Sequence, residues 1–203
     1  MTTLINMLPV MESFYTIQGE GYNTGKAAYF IRLGGCDVGC VWCDVKDSWD
    51  VTKHPHVTID KIVEDALKHP SRFVVITGGE PLMHDLTFLC DQLHKNNFII
   101  ALETSGAYPL TGTFDWLCVS PKKFKFPLPE LLNSADELKV IVFNKSDFEW
   151  AEKNAKDVKE DCKLFLQPEY DEFNKVMPLI IEYVKANPQW QVSLQVHKVI
   201  NVP

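Results

Sequence analysis

The sequence predicts an α/β fold, an incomplete TIM-like barrel of about six parallel strands with helices outside, on three observations. Short apolar runs rich in Val, Ile and Leu alternate with helix-length segments, a rhythm that pairs strands in parallel through right-handed crossovers. The polar motifs fall just after those runs, at the carboxyl ends where open and closed parallel sheets both place ligands. The strands are too few to close an eightfold barrel, so one side should stay splayed, which suits a large cosubstrate or a partner subunit.

Taken in order, residues 10–16 read as a strand that runs into the glycine-flanked polar turn Gln18-Gly19-Glu20-Gly21. A hairpin needs no more than that. The exposed backbone of Ile17, Gln18 and Gly19, with the Glu20 carboxylate, also offers the donors and acceptors that a guanine-like edge requires. Residues 27–33 form the first central strand. Near its end Arg32 is either half of a surface ion pair or a planar fork for a carboxylate. Thr58 caps a helix over 59–68 with Asp60 in its first turn. An apolar strand over 72–77 ends at Gly78-Gly79-Glu80-Pro81, a helix follows over 85–95, and a strand over 98–103 leads into Thr104-Ser105-Gly106. Residues 116–120, 138–143 and 164–167 are further strands, 146–156 and 173–186 have helical composition, and a strand over 192–196 ends the pattern.

With 203 residues, 46% of them hydrophobic, the chain can bury one sizeable core, and no composition shift marks a linker, so residues 1–203 read as a single domain. The net charge of -7 and the scattered Lys and Arg speak against a nucleic-acid footprint and for a small-molecule partner. Met1-Thr2-Thr3-Leu4-Ile5 carries no basic and apolar leader pattern, and no apolar stretch could span a bilayer, so the expected location is cytoplasmic, with no membrane partner. In that reducing compartment the six cysteines should be thiols or metal ligands, and Cys90, Cys118 and Cys162, each alone among apolar residues, should be core.

The remaining three, Cys36, Cys40 and Cys43, stand as C-x-x-x-C-x-x-C among Gly34, Gly35 and Gly39. Glycines there let the chain fold back around a bulky ligand. Three thiolates are one short of a closed structural zinc site and one more than a redox dithiol needs. They suit a [4Fe-4S] cluster that keeps one iron open. Zinc completed by His54 or His56, or plain core packing, remains open on spacing alone.

The triplet, with Trp42 before its last cysteine, resembles the cluster loop of radical S-adenosylmethionine (SAM) enzymes. Tyr15 to Gly21, Thr77-Gly78-Gly79-Glu80-Pro81, Ser120-Pro121-Lys122, Gln167-Pro168 and the final stretch Val196 to Pro203 are together similar to the 7-carboxy-7-deazaguanine synthases, nearly end to end. The resemblance implies a radical SAM core. It implies that the cluster cleaves SAM, and that the radical so formed drives ring contraction of 6-carboxy-5,6,7,8-tetrahydropterin with loss of ammonia. Cys36, Cys40 and Cys43 would be the metal ligands. Gly79 and Glu80 would hold the SAM amine, with the backbone of Trp42, Cys43 and Asp44 near the adenine and Ser120, Pro121, Lys122, Gln167, Pro168, Glu169 and Tyr170 around the rest. Ile17, Gln18, Gly19, Glu20, Arg32, Thr77, His197 and Pro203 would bind the pterin, with Glu20, Arg32 and His197 acting in catalysis. A homodimer and an electron donor such as flavodoxin or ferredoxin are implied as partners.

One position departs from the family. Two residues after the last cluster cysteine, members carry a Thr or Ser hydroxyl that ligates Mg2+, and this chain has Val45, whose isopropyl group offers a hard cation nothing. Substrate, water, backbone, Asp44 or Asp47 would have to take its place, or the enzyme would work without the ion. Two other readings stay open: an activating enzyme for glycyl-radical proteins, which gives no reason for the Gln18 turn or the His197 to Pro203 tail, and a zinc-stabilised binding module without catalysis.

Overall fold

The computed structural model describes residues 6–203; the five residues before them, on which the expectation of no leader rests, lie outside the described residues. The strands are Met7–Ile17 (β1), Ala27–Leu33 (β2), His56–Thr58 (β3), Phe73–Gly78 (β4), Ile99–Thr104 (β5), Trp116–Val119 (β6), Glu137–Val142 (β7), Lys163–Pro168 (β8) and Trp190–Val192 (β9). They form one sheet of order β3-β1-β2-β4-β5-β6-β7-β8-β9, so it is open among the described residues. From β2 to β9 all neighbours are parallel, whereas β1 pairs antiparallel with both β2 and β3. The expected core of parallel strands is therefore present, widened by a hairpin edge at one end and the short β9 at the other.

Helices Ile59–Leu67 (α1), Thr87–Lys95 (α2), Pro129–Ser134 (α3), Ser146–Ala155 (α4), Phe173–Ala186 (α5) and Val196–Ile200 (α6) complete the chain. Helix α1 starts where expected: Thr58 Oγ1 accepts from Lys61 N–H at 3.3 Å, a cap of about 1 kcal/mol. Its Ile59, Ile62, Val63 and Ala66 fall on one face and are buried. No helix among the described residues is long and apolar enough to cross a membrane.

Strand alternation then decides what faces what. On one face Ile31, Val74, Ile76, Leu102, Leu138, Val140 and Leu166 are buried in the main core with residues of α1, α2 and α5. On the other, Ala28, Val75 and Ala101 form a second, small cluster with Phe30, Phe73 and Trp116. Further along that face toward the carboxyl ends, the same alternation presents Arg32, Thr77, Glu103, Lys139 and Gln167, which line a cavity.

One expected element is different. The strand expected over 192–196 lies earlier: β9 stops at Val192 and α6 begins at Val196. Val-Ser-Leu-Gln-Val alternates like a strand, but Ser193 Oγ turns in to Gln167 Oε1 at 2.7 Å, and Val196 N–H donates to the Gly19 carbonyl at 2.9 Å instead of to a strand neighbour. The short β3 and α3 were not expected; three and six residues carry too little periodicity to read.

Candidate functional site

The cavity opens at the carboxyl ends of the strands, and one of its walls is the cysteine loop. After β2 the chain leaves through Gly34 and returns at Ser48 and Trp49, closed by Gly35 N–H to the Ser48 carbonyl at 2.6 Å and Cys36 N–H to the Trp49 carbonyl at 3.2 Å. Cys36, Cys40 and Cys43 are free, and all three line the cavity. Burial pushes the Cys36 and Cys40 thiols up, so a metal centre taken up there must displace their protons. Outside the loop, Trp42 meets Phe124 edge-on at 6.4 Å, and Lys125 and Tyr108 clasp Asp37 at 2.8 and 2.6 Å. His54, a candidate zinc ligand, donates through Nε2 to the Asp47 carbonyl at 2.9 Å. His56 is an exposed residue of β3.

The Gly78-Gly79 pair passes directly beneath this loop. Gly79 N–H donates to the Leu33 carbonyl and Glu80 N–H to the Gly35 carbonyl, both at 2.9 Å. A Cβ on Gly79 would sit 2.3 Å from the Gly35 oxygen and 2.8 Å from Cys36 Cβ, so this approach of two main chains requires glycine.

Glu80 corrects an expectation. Its side chain is 1% exposed and does not line the cavity. The carboxylate accepts from Leu82 N–H at 3.1 Å, Thr104 Oγ1 at 2.5 Å and Ser105 N–H at 2.8 Å, and from Ser105 Oγ as well. Glu80 therefore ties the loop after β4 to the loop after β5. Pro121 is also off the cavity, its carbonyl accepting from the Trp150 indole at 3.3 Å. The other residues expected around SAM, namely Trp42, Cys43, Asp44, Gly79, Ser120, Lys122, Gln167, Pro168, Glu169 and Tyr170, do line it. Burial holds the Lys122 ammonium below its usual range beside Cys40, and its Nζ donates to Ser120 O and Oγ at 2.8 and 2.5 Å.

The opposite wall is the turn after β1 together with the end of the chain. Ile17, Gln18, Gly19, Glu20, Arg32, Thr77, His197 and Pro203 all line the cavity. Side chains grip the turn. Gly21 N–H donates to Ser193 Oγ at 2.9 Å, Tyr22 N–H to Glu137 Oε2 at 3.2 Å, and Gln195 Nε2 to Glu20 Oε1 at 3.0 Å. Gly21 has φ +63°, and a Cβ there would lie 1.9 Å from Glu137 Oε1, so another residue would be strained and would have to displace the Glu137 carboxylate. Arg32 Nε donates to Glu12 at 2.7 Å, and the residue also lines the cavity. His197 is half-buried, and burial pushes its imidazole down despite the nearby Glu20.

Two residues of this wall were not expected. Lys139 Nζ lies 2.7 Å from both Glu20 Oε2 and Glu103 Oε2, an ion triplet across the turn, β5 and β7. Although burial works against its charge, Lys139, with bonds from Gln195 and Gln167, holds the Glu20 carboxyl down at about 2. Inward positions 137, 139 and 141 carry Glu, Lys and Ile while the outward Leu138, Val140 and Val142 are fully buried, an alternation that was visible in the sequence.

Residues 30–160 match the model of the radical SAM superfamily. A protein of Flavobacterium psychrophilum described as 7-carboxy-7-deazaguanine synthase is 55% identical over 197 residues, covering 97% of this chain and 93% of its own length. Proteins of the same description from Synechocystis sp. and Escherichia coli K12 are 47% and 37% identical, each match covering 96% of this chain and 93% and 98% of the relative. The crystal structure of QueE from Escherichia coli superposes with a TM-score of 0.82 at 33% identity, covering 93% of each chain.

Proposed function

The chain belongs to the radical SAM superfamily and, within it, to the 7-carboxy-7-deazaguanine synthases, and from that premise we propose how its cavity works. As a member it is a carbon-nitrogen lyase of deazapurine biosynthesis, which converts 6-carboxy-5,6,7,8-tetrahydropterin to 7-carboxy-7-deazaguanine with loss of ammonia. Neither the glycyl-radical activating enzyme nor the zinc module is kept.

The residues present fit the cofactors of the superfamily: three free thiols from one short loop face one cavity, above glycine backbone that puts no side chain in the way. Cys36, Cys40 and Cys43 would hold a [4Fe-4S] cluster, and Gly79, Trp42 to Asp44, Ser120, Lys122 and Gln167 to Tyr170 would hold SAM. Bound there, the pair supplies one-electron chemistry that takes hydrogen from an unactivated carbon.

The rest falls to the chain itself. The turn Ile17 to Glu20 and Thr77 receive the donors and acceptors of the pterin ring, Arg32 holds its carboxylate, and Pro203 borders the seat. His197, kept neutral by burial, can accept a proton beside it. Phe14 and Phe30, stacked at 5.3 Å, make an apolar wall that excludes water.

Magnesium does not fit at position 45. Val45 lines the cavity without an oxygen on its side chain, and neighbouring Asp44 is paired with Lys198 at 3.3 Å. No step here is assigned to Mg2+. We read residues 1–203 as one cytoplasmic catalytic unit that works as a homodimer, with a flavodoxin or ferredoxin as reductant.

The observation that carries this reading is that the cysteine loop, the turn at 17–20 and the segment ending at 203 open onto one cavity. Anaerobic reconstitution with iron and sulfide, followed by SAM, dithionite and the pterin, should yield 7-carboxy-7-deazaguanine by mass spectrometry. Iron-loaded protein that cleaves SAM but returns the pterin unchanged would sink the substrate assignment.

A further inference from the structure

Lys139 is 3% exposed, yet no residue of the turn or the strands needs an ammonium there for its own backbone bonds. A lone buried ammonium costs several kcal/mol and persists only where anions surround it. Here there are two, Glu20 and Glu103, each giving one oxygen to Nζ at 2.7 Å. Each gives its other oxygen to a glutamine amide: Gln195 Nε2 to Glu20 Oε1 at 3.0 Å, and Gln18 Nε2 to Glu103 Oε1 at 3.2 Å. Since a carboxylate has about four acceptor positions, both still have capacity left, and both line the cavity. The triplet carries one net negative charge, and its two carboxylates present acceptors, the complement of a ring edge made of an N–H and an exocyclic amine.

We propose that Lys139 is a positioning residue for the reaction: its ammonium keeps the Glu20 and Glu103 carboxylates side by side as a fixed pair of acceptors, and so sets the seat of the substrate's nitrogen-rich edge. The proposal rests on the pterin reading of the cavity. Without the cation, two carboxylates brought to one point repel each other, and one of them takes up a proton at neutral pH. It then offers an O–H where the substrate needs an acceptor. Cys118 on β6, Glu137 on its own strand, Lys122 and His197 also act on Lys139 electrostatically, but the bonds to both carboxylates come from Lys139 Nζ.

The test compares Lys139→Met, Lys139→Arg and wild type, each reconstituted anaerobically, by iron content, SAM cleavage and product formation against pterin concentration from pH 6 to 9. In wild type the KM for the pterin should be flat with pH. In Lys139→Met it should be raised on the order of 10- to 100-fold at pH 7 and fall as pH rises and the shared proton leaves, while iron content and uncoupled SAM cleavage persist. Lys139→Arg should recover most of the loss. A KM in Lys139→Met equal to wild type, or raised by one factor at every pH, overturns the proposal, the second result meaning that the lysine only ties strands together. If Lys139→Met fails to fold, Lys139→Met with Glu103→Gln keeps the net charge and reads the same point: a raised, pH-flat KM supports the proposal and a wild-type KM overturns it. Wild-type enzyme that makes no product from the pterin overturns the functional reading, and the proposal with it, before any variant is compared.

Discussion

The two walls of the cavity keep their shape by different means. Around the cysteines many of the contacts that fix the chain are main chain to main chain, such as Gly35 to Ser48, Cys36 to Trp49, and Gly79 and Glu80 to Leu33 and Gly35, and most side chains that join in bond to carbonyls, as His54 does to Asp47 and His84 to Gly34, with the exposed Asp37-Lys125-Tyr108 clasp outside. Around the turn at 18–21 main-chain bonds such as Val196 to Gly19 are joined by many side-chain contacts, and several of these are charged: Glu20, Glu103, Glu137 and Lys139. A wall held by backbone fails when atoms are added to it or its thiols are removed. A wall held by charge fails when a proton or an ion-pair partner is lost.

The largest effect that would break this contrast concerns the thiols. Cys40→Ala should abolish cluster binding and product formation, whereas Cys118→Ala, at a thiol that burial raises far out of reach of ionisation, should keep both. Iron and sulfide analysis with the visible absorption spectrum decides it, and full iron in Cys40→Ala would remove the basis for the cysteine wall. Next, Gly79→Ala should lower SAM affinity more than tenfold in titration, because the new methyl group meets the Gly35 carbonyl at 2.3 Å and neither main chain can move alone. Wild-type affinity in that variant would mean that the two loops are free to separate.

Glu80→Gln probes a charged group on the backbone-held side. An amide matches the shape but has one acceptor oxygen for four donors, so chemical denaturation should show a loss of about 1 to 3 kcal/mol, with little effect on the residual SAM affinity of the folded fraction. A change in SAM affinity with no change in stability would put the carboxylate on the cosubstrate after all. A further effect, of similar size and confined to low pH, is on acid stability. The Glu20 carboxyl, lowered from 4.5 to about 2, contributes stability that is present above pH 4.5 and lost as the pH falls toward 2. The loss should be about 1 to 3 kcal/mol and absent in Glu20→Gln. Glu137, pushed up by burial, works the other way, since protonation relieves its charge. Parallel acid titrations of the two proteins, followed by circular dichroism, separate these contributions.

How much of this could be read from the chain follows the same division. The cysteine wall is local: Cys36, Cys40 and Cys43 lie within eight residues, and Gly78-Gly79 ends a recognisable strand, so spacing and glycine placement suffice. What could not be read there was orientation. Glu80 stands in its motif but turns away from the cavity, because Ser105 and Thr104 satisfy it from a loop some 25 residues on. The charged wall is assembled from positions 20, 103, 139 and 195, and no short window contains two of them. Residues 193–196 misled for a related reason: their alternation is real, but after Ser193 N–H donates to Leu166 of β8 the chain turns off the sheet, and Val196 N–H donates to Gly19 in the turn after β1.

The bonds that close the turn onto the last segment join residues 172 and 175 positions apart, Gly21 to Ser193 and Glu20 to Gln195. Closing a loop of that length is slow and is rewarded only once the whole sheet between its ends exists. During synthesis, then, the thiols of the loop are made and can meet iron long before the pterin seat exists. In the folded protein that closure, resting on short β9 and α6, should be the first part to open in hydrogen exchange, so substrate entry by local unfolding at this seam would leave the cysteine loop closed.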